Sequence, residues 1–265
     1  MKKIHLLIID PQNDFCDTTG ALFVPGADRD SIRLADLIDR LRNKISDIHV
    51  TLDSHRTVDI AHPIFWTNSK GEQPGPFTII SVDDVTNGVW NARNPKWSER
   101  AKEYVKALAD NKRYPLCIWP PHCRIGTWGH AIVKPVSDAI LKWEEDRFAV
   151  VDFVTKGSNI FTEHYSAVQA DVPDPSDSTT MLNTNLIEIL QEADIILISG
   201  QALSHCVRNS VLDIMANFGE ENIKKFILLE DTSSNVPGFD NLGEDFIKEA
   251  TGKGMKVINS TEFLV

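Results

Sequence analysis

Four apolar runs, each leading to a polar residue, set the rhythm of the chain. HLLIID (5–10) ends in Asp10, IHVTLD (48–53) in Asp53 and AVVDFVTK (149–156) in Lys156, while DIILIS (194–199) leads through a short turn to Cys206. Runs of this length, rich in Ile, Leu and Val, predict buried strands. KKFILLED (224–231) and MKVINS (255–260) extend the series to about six. Between them, apolar residues recur at helical spacing over 30–44, with Asp30 or Ser31 as N-cap, and over 93–112, 184–193, 206–219 and 242–251. Gly219 supplies a C-terminal stop for the fourth of these helices. Strands alternating with helices predict an α/β fold, a parallel sheet covered on both faces. Segments 66–92 and 125–148 break the rhythm and read as insertions on the rim of a single domain spanning 1–265.

Composition narrows the function classes. The chain has 265 residues, of which 42% are hydrophobic and 25% charged, enough for a full core. The formal net charge of −11 disfavours a nucleic-acid partner, because phosphate binding needs clustered Lys and Arg. No apolar run reaches the length of a membrane span, and the N-terminal stretch is too short for a signal peptide. Cys16, Cys117, Cys123 and Cys206 show no paired spacing, so a disulfide framework is not indicated and a reducing cytoplasm is expected.

In an open parallel sheet, ligands bind at the C-terminal ends of the strands. Asp10, Lys156 and Cys206 would meet there as an acid, a cation and a thiol. Cys206 opens the helix over 206–219, whose free N–H groups would stabilise a thiolate and hold an oxyanion. Asp10 would take the thiol proton, with Lys156 biasing the charge balance. By position alone, Cys206 reads more readily as a small core residue. Asp53, His55, His62 and His122 form a second group. One carboxylate with two or three imidazoles suits zinc, iron or manganese, although an isolated Asp-x-His is also common in plain loops. His5, His49, His130, His164 and His205 read as fillers or surface residues.

DPQNDFC (10–16), DSH (53–55), WPPHC (119–123), FVTKG (153–157) and SGQALSHCV (199–207) occur in that order. Together they resemble the nicotinamidase branch of the isochorismatase-like cysteine hydrolases. The resemblance implies a three-layer α/β/α fold with a central six-stranded, mainly parallel sheet. It implies a triad of Asp10 as base, Lys156 as its electrostatic partner and Cys206 as nucleophile. It also implies a cis peptide at Gln201–Ala202, and an oxyanion hole from the N–H groups of Ala202 and Cys206. One divalent metal ion, zinc before iron or manganese, would sit on Asp53, His55, His62 and His122. Phe15, Trp119 and Tyr165 would enclose a flat ring.

The expected activity is hydrolysis of a small carboxamide, nicotinamide first, as in pyridine nucleotide salvage. The expected partner is that small molecule, with no nucleic acid or membrane, and a homo-oligomer is a family-based expectation. Other amides or carbamoyl compounds, or a non-catalytic binding module of the same fold, are the alternatives. The chain departs from the family pattern at Ser204, where many relatives have an acid, in the loop between His55 and Pro63, and in the two insertions.

Overall fold

The computed structural model describes residues 2–111 and 113–263. Six strands form the central sheet: β1 (Ile4–Ile9), β2 (Ile45–Asp53), β3 (Asp152–Lys156), β4 (Ile195–Gly200), β5 (Phe226–Leu229) and β6 (Lys256–Ile258). Their spatial order is β6-β5-β4-β1-β2-β3, and every neighbouring pair is parallel. The expected sheet is therefore present, and wholly rather than mainly parallel. All six residues of β1 are buried, as a central parallel strand requires.

Six longer helices complete the α/β/α layers: α1 (Ala27–Leu41), α2 (Ser98–Asp110), α3 (Lys134–Arg147), α4 (Thr184–Gln191), α5 (Arg208–Ala216) and α6 (Asp240–Gly252). None is long and apolar enough to cross a membrane among the described residues. Chain order runs outward from β1 through β2 to β3, then returns to β4 on the other side of β1. The crevice at this reversal, at the strands' C-terminal ends, is where such sheets bind ligands.

Three helices differ from the sequence expectation. Helix α1 begins at Ala27 with Gly26 as its N-cap, at φ 103°. Asp30 is not a cap: its buried carboxylate accepts from the Gln201 side chain (2.9 Å), the Ser234 hydroxyl (2.6 Å) and Arg33 (2.7 Å). The expected helix over 93–112 starts as α2 only at Ser98, after a turn at Pro95–Trp97, and residue 112 lies outside the described residues. The helix expected over 206–219 divides into a π turn, Leu203–Val207, and α5, so Cys206 lies inside a turn rather than at a helix start.

Within 125–148, α3 packs against α1, so the second half of that segment belongs to a helical layer instead of the rim. Segment 66–92 is tied down by two short antiparallel pairs, Trp66–Thr67 with Asn91–Ala92 and Ile79–Ile80 with Leu116–Cys117.

Candidate active site

Four strand ends deliver the polar groups named from the sequence. Asp10 follows β1 with φ 45°, in the left-handed region, and is fully buried. Its backbone N–H donates to Thr51 Oγ1 (3.0 Å), and that hydroxyl donates to Asp10 Oδ1 (2.5 Å). Lys156, ending β3, places Nζ 2.9 Å from Asp10 Oδ2, 3.0 Å from Asp53 Oδ1 and 3.6 Å from Cys206 Sγ. A third donation goes to the His164 carbonyl at 3.0 Å.

Burial pushes the Asp10 carboxyl above its ordinary pKa, and Lys156 opposes that rise. Burial alone would discharge Lys156, but Asp10 and Asp53 hold its pKa well above normal. Burial also carries the Cys206 thiol well above its usual pKa, with Lys156 pulling the other way and Asp10 and Asp53 adding to the rise. The thiol proton therefore needs an acceptor, the role expected of Asp10.

That turn is anchored from two sides. Gln201–Ala202 is a cis peptide, as the resemblance implied. The Gln201 side chain donates to Asp30 and accepts from Ser234 N–H (3.1 Å), while Leu203 N–H donates to the Ser234 carbonyl (2.8 Å). Ala202 and Cys206 both face the cavity described below.

Asp53, His55 and His122 converge next to this group. Asp53 Oδ2 lies 3.0 Å from His55 Nε2 and 3.3 Å from His122 Nε2. Each imidazole is oriented from behind, His55 Nδ1 by Asp59 at 3.0 Å and His122 Nδ1 by the Pro120 carbonyl at 2.9 Å. Such outer partners fix the tautomer that leaves Nε2 free to coordinate. His62 stands beside the trio, its ring 5.2 Å from that of His55 and 5.7 Å from that of His122. Its Nε2 is buried with no hydrogen-bond partner, although it is not one of the three atoms that meet. One carboxylate oxygen and two oriented imidazoles, with a third imidazole nitrogen orphaned nearby, fit a divalent metal of the zinc or iron type.

The DPQNDFC motif binds the two groups together. Gln12 donates to the Asp53 carbonyl (2.7 Å) and accepts from its N–H (2.8 Å). Asn13 donates to the Trp128 carbonyl (2.8 Å), and Asp14 accepts from Cys123 N–H (2.6 Å), beside His122. The short segment after β1 therefore positions Asp53 and the loop that carries His122.

Phe15, Trp119 and Tyr165 line a small cavity, about 30 Å³, that also meets Asp53, His122 and Cys206. Trp119 Nε1 donates to the Tyr165 hydroxyl at 2.9 Å, locking two walls together. Two further polar groups on this cavity were not singled out from the sequence as site residues. Glu163 is buried, with Oε2 unpartnered, and burial pushes its carboxyl up to about 8. His205, read as a filler, lines the cavity instead of packing away from it. Thr51 and Asp59 were missed as well. The histidines His5, His49 and His130 do act as hydrogen-bonded structural groups, for example His130 with the Ser54 hydroxyl at 2.8 Å.

No family model matches the chain. Among curated proteins, the nicotinamidase of Saccharomyces cerevisiae is 24% identical over 229 residues, 86% of each chain. Among solved structures, the yeast nicotinamidase Pnc1p superposes with a TM-score of 0.65 at 19% identity, over 97% of this chain and 99% of the other; it is also known bound to the inhibitor nicotinaldehyde. The pyrazinamidase of Pyrococcus horikoshii, in complex with zinc, superposes with a TM-score of 0.58 at 19% identity, over 97% and 99%. The chain shares the fold of these proteins over nearly its whole length.

Proposed function

We propose, from that kinship with nicotinamidases, that this chain is a metal-assisted cysteine amidohydrolase that converts nicotinamide, or a closely similar ring carboxamide, to the acid and ammonia. We further read the whole of 1–265 as a single hydrolase domain. The observation that carries the reading is the Lys156 ammonium lying between the Asp10 carboxylate and the Cys206 sulfur, on the wall of an aromatic cavity.

Asp10 takes the Cys206 proton as the sulfur bonds to the amide carbon. Lys156 keeps the carboxylate and the developing thiolate from repelling one another. The backbone N–H groups of Ala202 and Cys206 receive the oxyanion of the tetrahedral intermediate. The C–N bond then breaks, and Asp10 returns its proton to the nitrogen, which leaves as ammonia. A water gives its proton to Asp10 and adds to the thioester, the C–S bond breaks, and the thiol is restored with release of the carboxylate product.

Phe15, Trp119 and Tyr165 hold the ring flat. Asp53, His55 and His122, with His62 beside them, would hold the metal. When bound, that ion supplies a Lewis-acid anchor for the ring nitrogen or for the water next to it. The zinc complex of the pyrazinamidase and the donor set of this chain support zinc or iron over a hard-cation site.

The test is ammonia release from nicotinamide by purified, metal-analysed protein, with Cys206→Ala as the control. Release that disappears in the variant is the expected result. A wild-type protein that carries metal and releases no ammonia from nicotinamide would exclude this substrate.

A further inference from the structure

His205 precedes the nucleophile and belongs to two cavities at once. It lines the aromatic cavity beside Cys206, and with Tyr165 it also lines an adjoining cleft formed by Ile79, Tyr114, Phe239 and Leu242. Its ring meets Trp119 and Phe239 edge-on, at 5.4 and 4.9 Å between centroids, and lies tilted against Tyr165 at 5.4 Å. His205 and Tyr165 are thus the partition between the catalytic cavity and an outer, mostly apolar cleft.

The protonation of that ring follows from Ser204. The Ser204 side chain is fully buried, and its oxygen accepts from Val236 N–H at 3.1 Å. Its other contact is His205 Nδ1 at 2.9 Å. The hydroxyl hydrogen has no other acceptor among the described residues, and leaving it unpaired in the interior would be unfavourable. The hydroxyl therefore donates to Nδ1, which must be the unprotonated nitrogen, and the ring proton resides on Nε2. Nε2 makes no hydrogen bond to the described residues. Burial holds the imidazole down to about 4, so the ring stays neutral through the physiological range.

We infer that His205 is a specificity-determining residue: held in one neutral tautomer by the Ser204 hydroxyl, it forms with Tyr165 the wall that excludes ring carboxamides too large for the inner cavity. The inference rests on the amidohydrolase reading for its substrate class, but its tautomer does not.

Two experiments separate these parts. In ¹⁵N-labelled protein, two-bond ring correlations, assigned by loss of one histidine in His205→Phe, should show His205 protonated at Nε2. Ser204→Ala should shift protons toward Nδ1. An Nδ1–H ring in the unmodified protein overturns the inference, whatever the activity.

In turnover, His205→Phe keeps the wall and removes the imidazole, whereas His205→Ala opens the wall. His205→Phe should keep the wild-type ratio of kcat/KM between ring-methoxylated and unsubstituted nicotinamide within about threefold. His205→Ala alone should raise relative kcat/KM for ring-methoxylated over unsubstituted nicotinamide by at least about tenfold. Equal substrate ratios in both variants would remove the gate. Wild-type protein that releases ammonia from neither amide would sink the amidohydrolase reading, with the tautomer still decided by the spectra.

Discussion

Thr51→Val is the most discriminating single change at this site. Valine matches threonine in shape and suits a strand, so the substitution opens no cavity at a fully buried position. It removes two interactions together. Asp10 Oδ1 loses its hydroxyl donor, and the Asp10 N–H, in a left-handed turn, loses its acceptor. A hydrogen bond to a charged group contributes about 1.5–3 kcal/mol, and an orphaned buried N–H costs about 1–3 kcal/mol. Because the same hydroxyl serves both, a loss near 3 kcal/mol is expected, read as a lower denaturation midpoint at unchanged m-value.

The catalytic signature is more specific than the stability change. The Thr51 hydrogen bond lowers the Asp10 pKa against burial, which raises it. Removing the bond raises that pKa further, and about 1.5–3 kcal/mol corresponds to roughly one to two pH units. Asp10 works as a base only when ionised, so the acidic limb of the kcat/KM profile should move by that amount to higher pH. A limb that stays in place or moves to lower pH, in a folded variant, would refute the assignment of Asp10 as the base.

Three other outcomes are expected. Asp59→Ala, which frees His55 Nδ1, should weaken zinc or iron binding about 10–100-fold by chelator competition while the aromatic cavity stays intact; unchanged affinity would place the metal elsewhere. Gly200→Ala should be strongly destabilising, because a Cβ there would lie 2.0 Å from the Ile9 carbonyl oxygen and φ is +122°; the check is a midpoint well below that of wild type. Acidification should destabilise the protein through His205: its folded pKa of about 4 lies below the unfolded value, so the unfolded chain binds more protons between about 6.5 and 4. Its full contribution is present above pH 6.5 and is lost as pH falls toward 4, up to roughly 3 kcal/mol, and His205→Phe should flatten that limb of the stability curve.

What the sequence revealed and what it hid divide along the range of the interactions involved. Strands were legible because β1 and β4 are buried on both faces, so their apolar runs are continuous and each stops at the residue that reaches the crevice. Asp10, Asp53, Lys156 and Cys206 followed directly, since a parallel sheet collects its strand ends whatever the loops do. Thr51 and Asp59 were hidden for the opposite reason. Each acts through one contact to a neighbour set by strand pairing or a local turn, and neither a threonine in a strand nor an aspartate in a loop carries a pattern that announces it. The turn around Cys206 was read as a helix start because apolar spacing is visible in a sequence and a local π turn is not. At this site burial raises the Asp10 carboxyl and the Cys206 thiol while Asp10 and Asp53 hold Lys156 charged against it, so activation of the thiol depends on Asp10 and Lys156 acting as a pair.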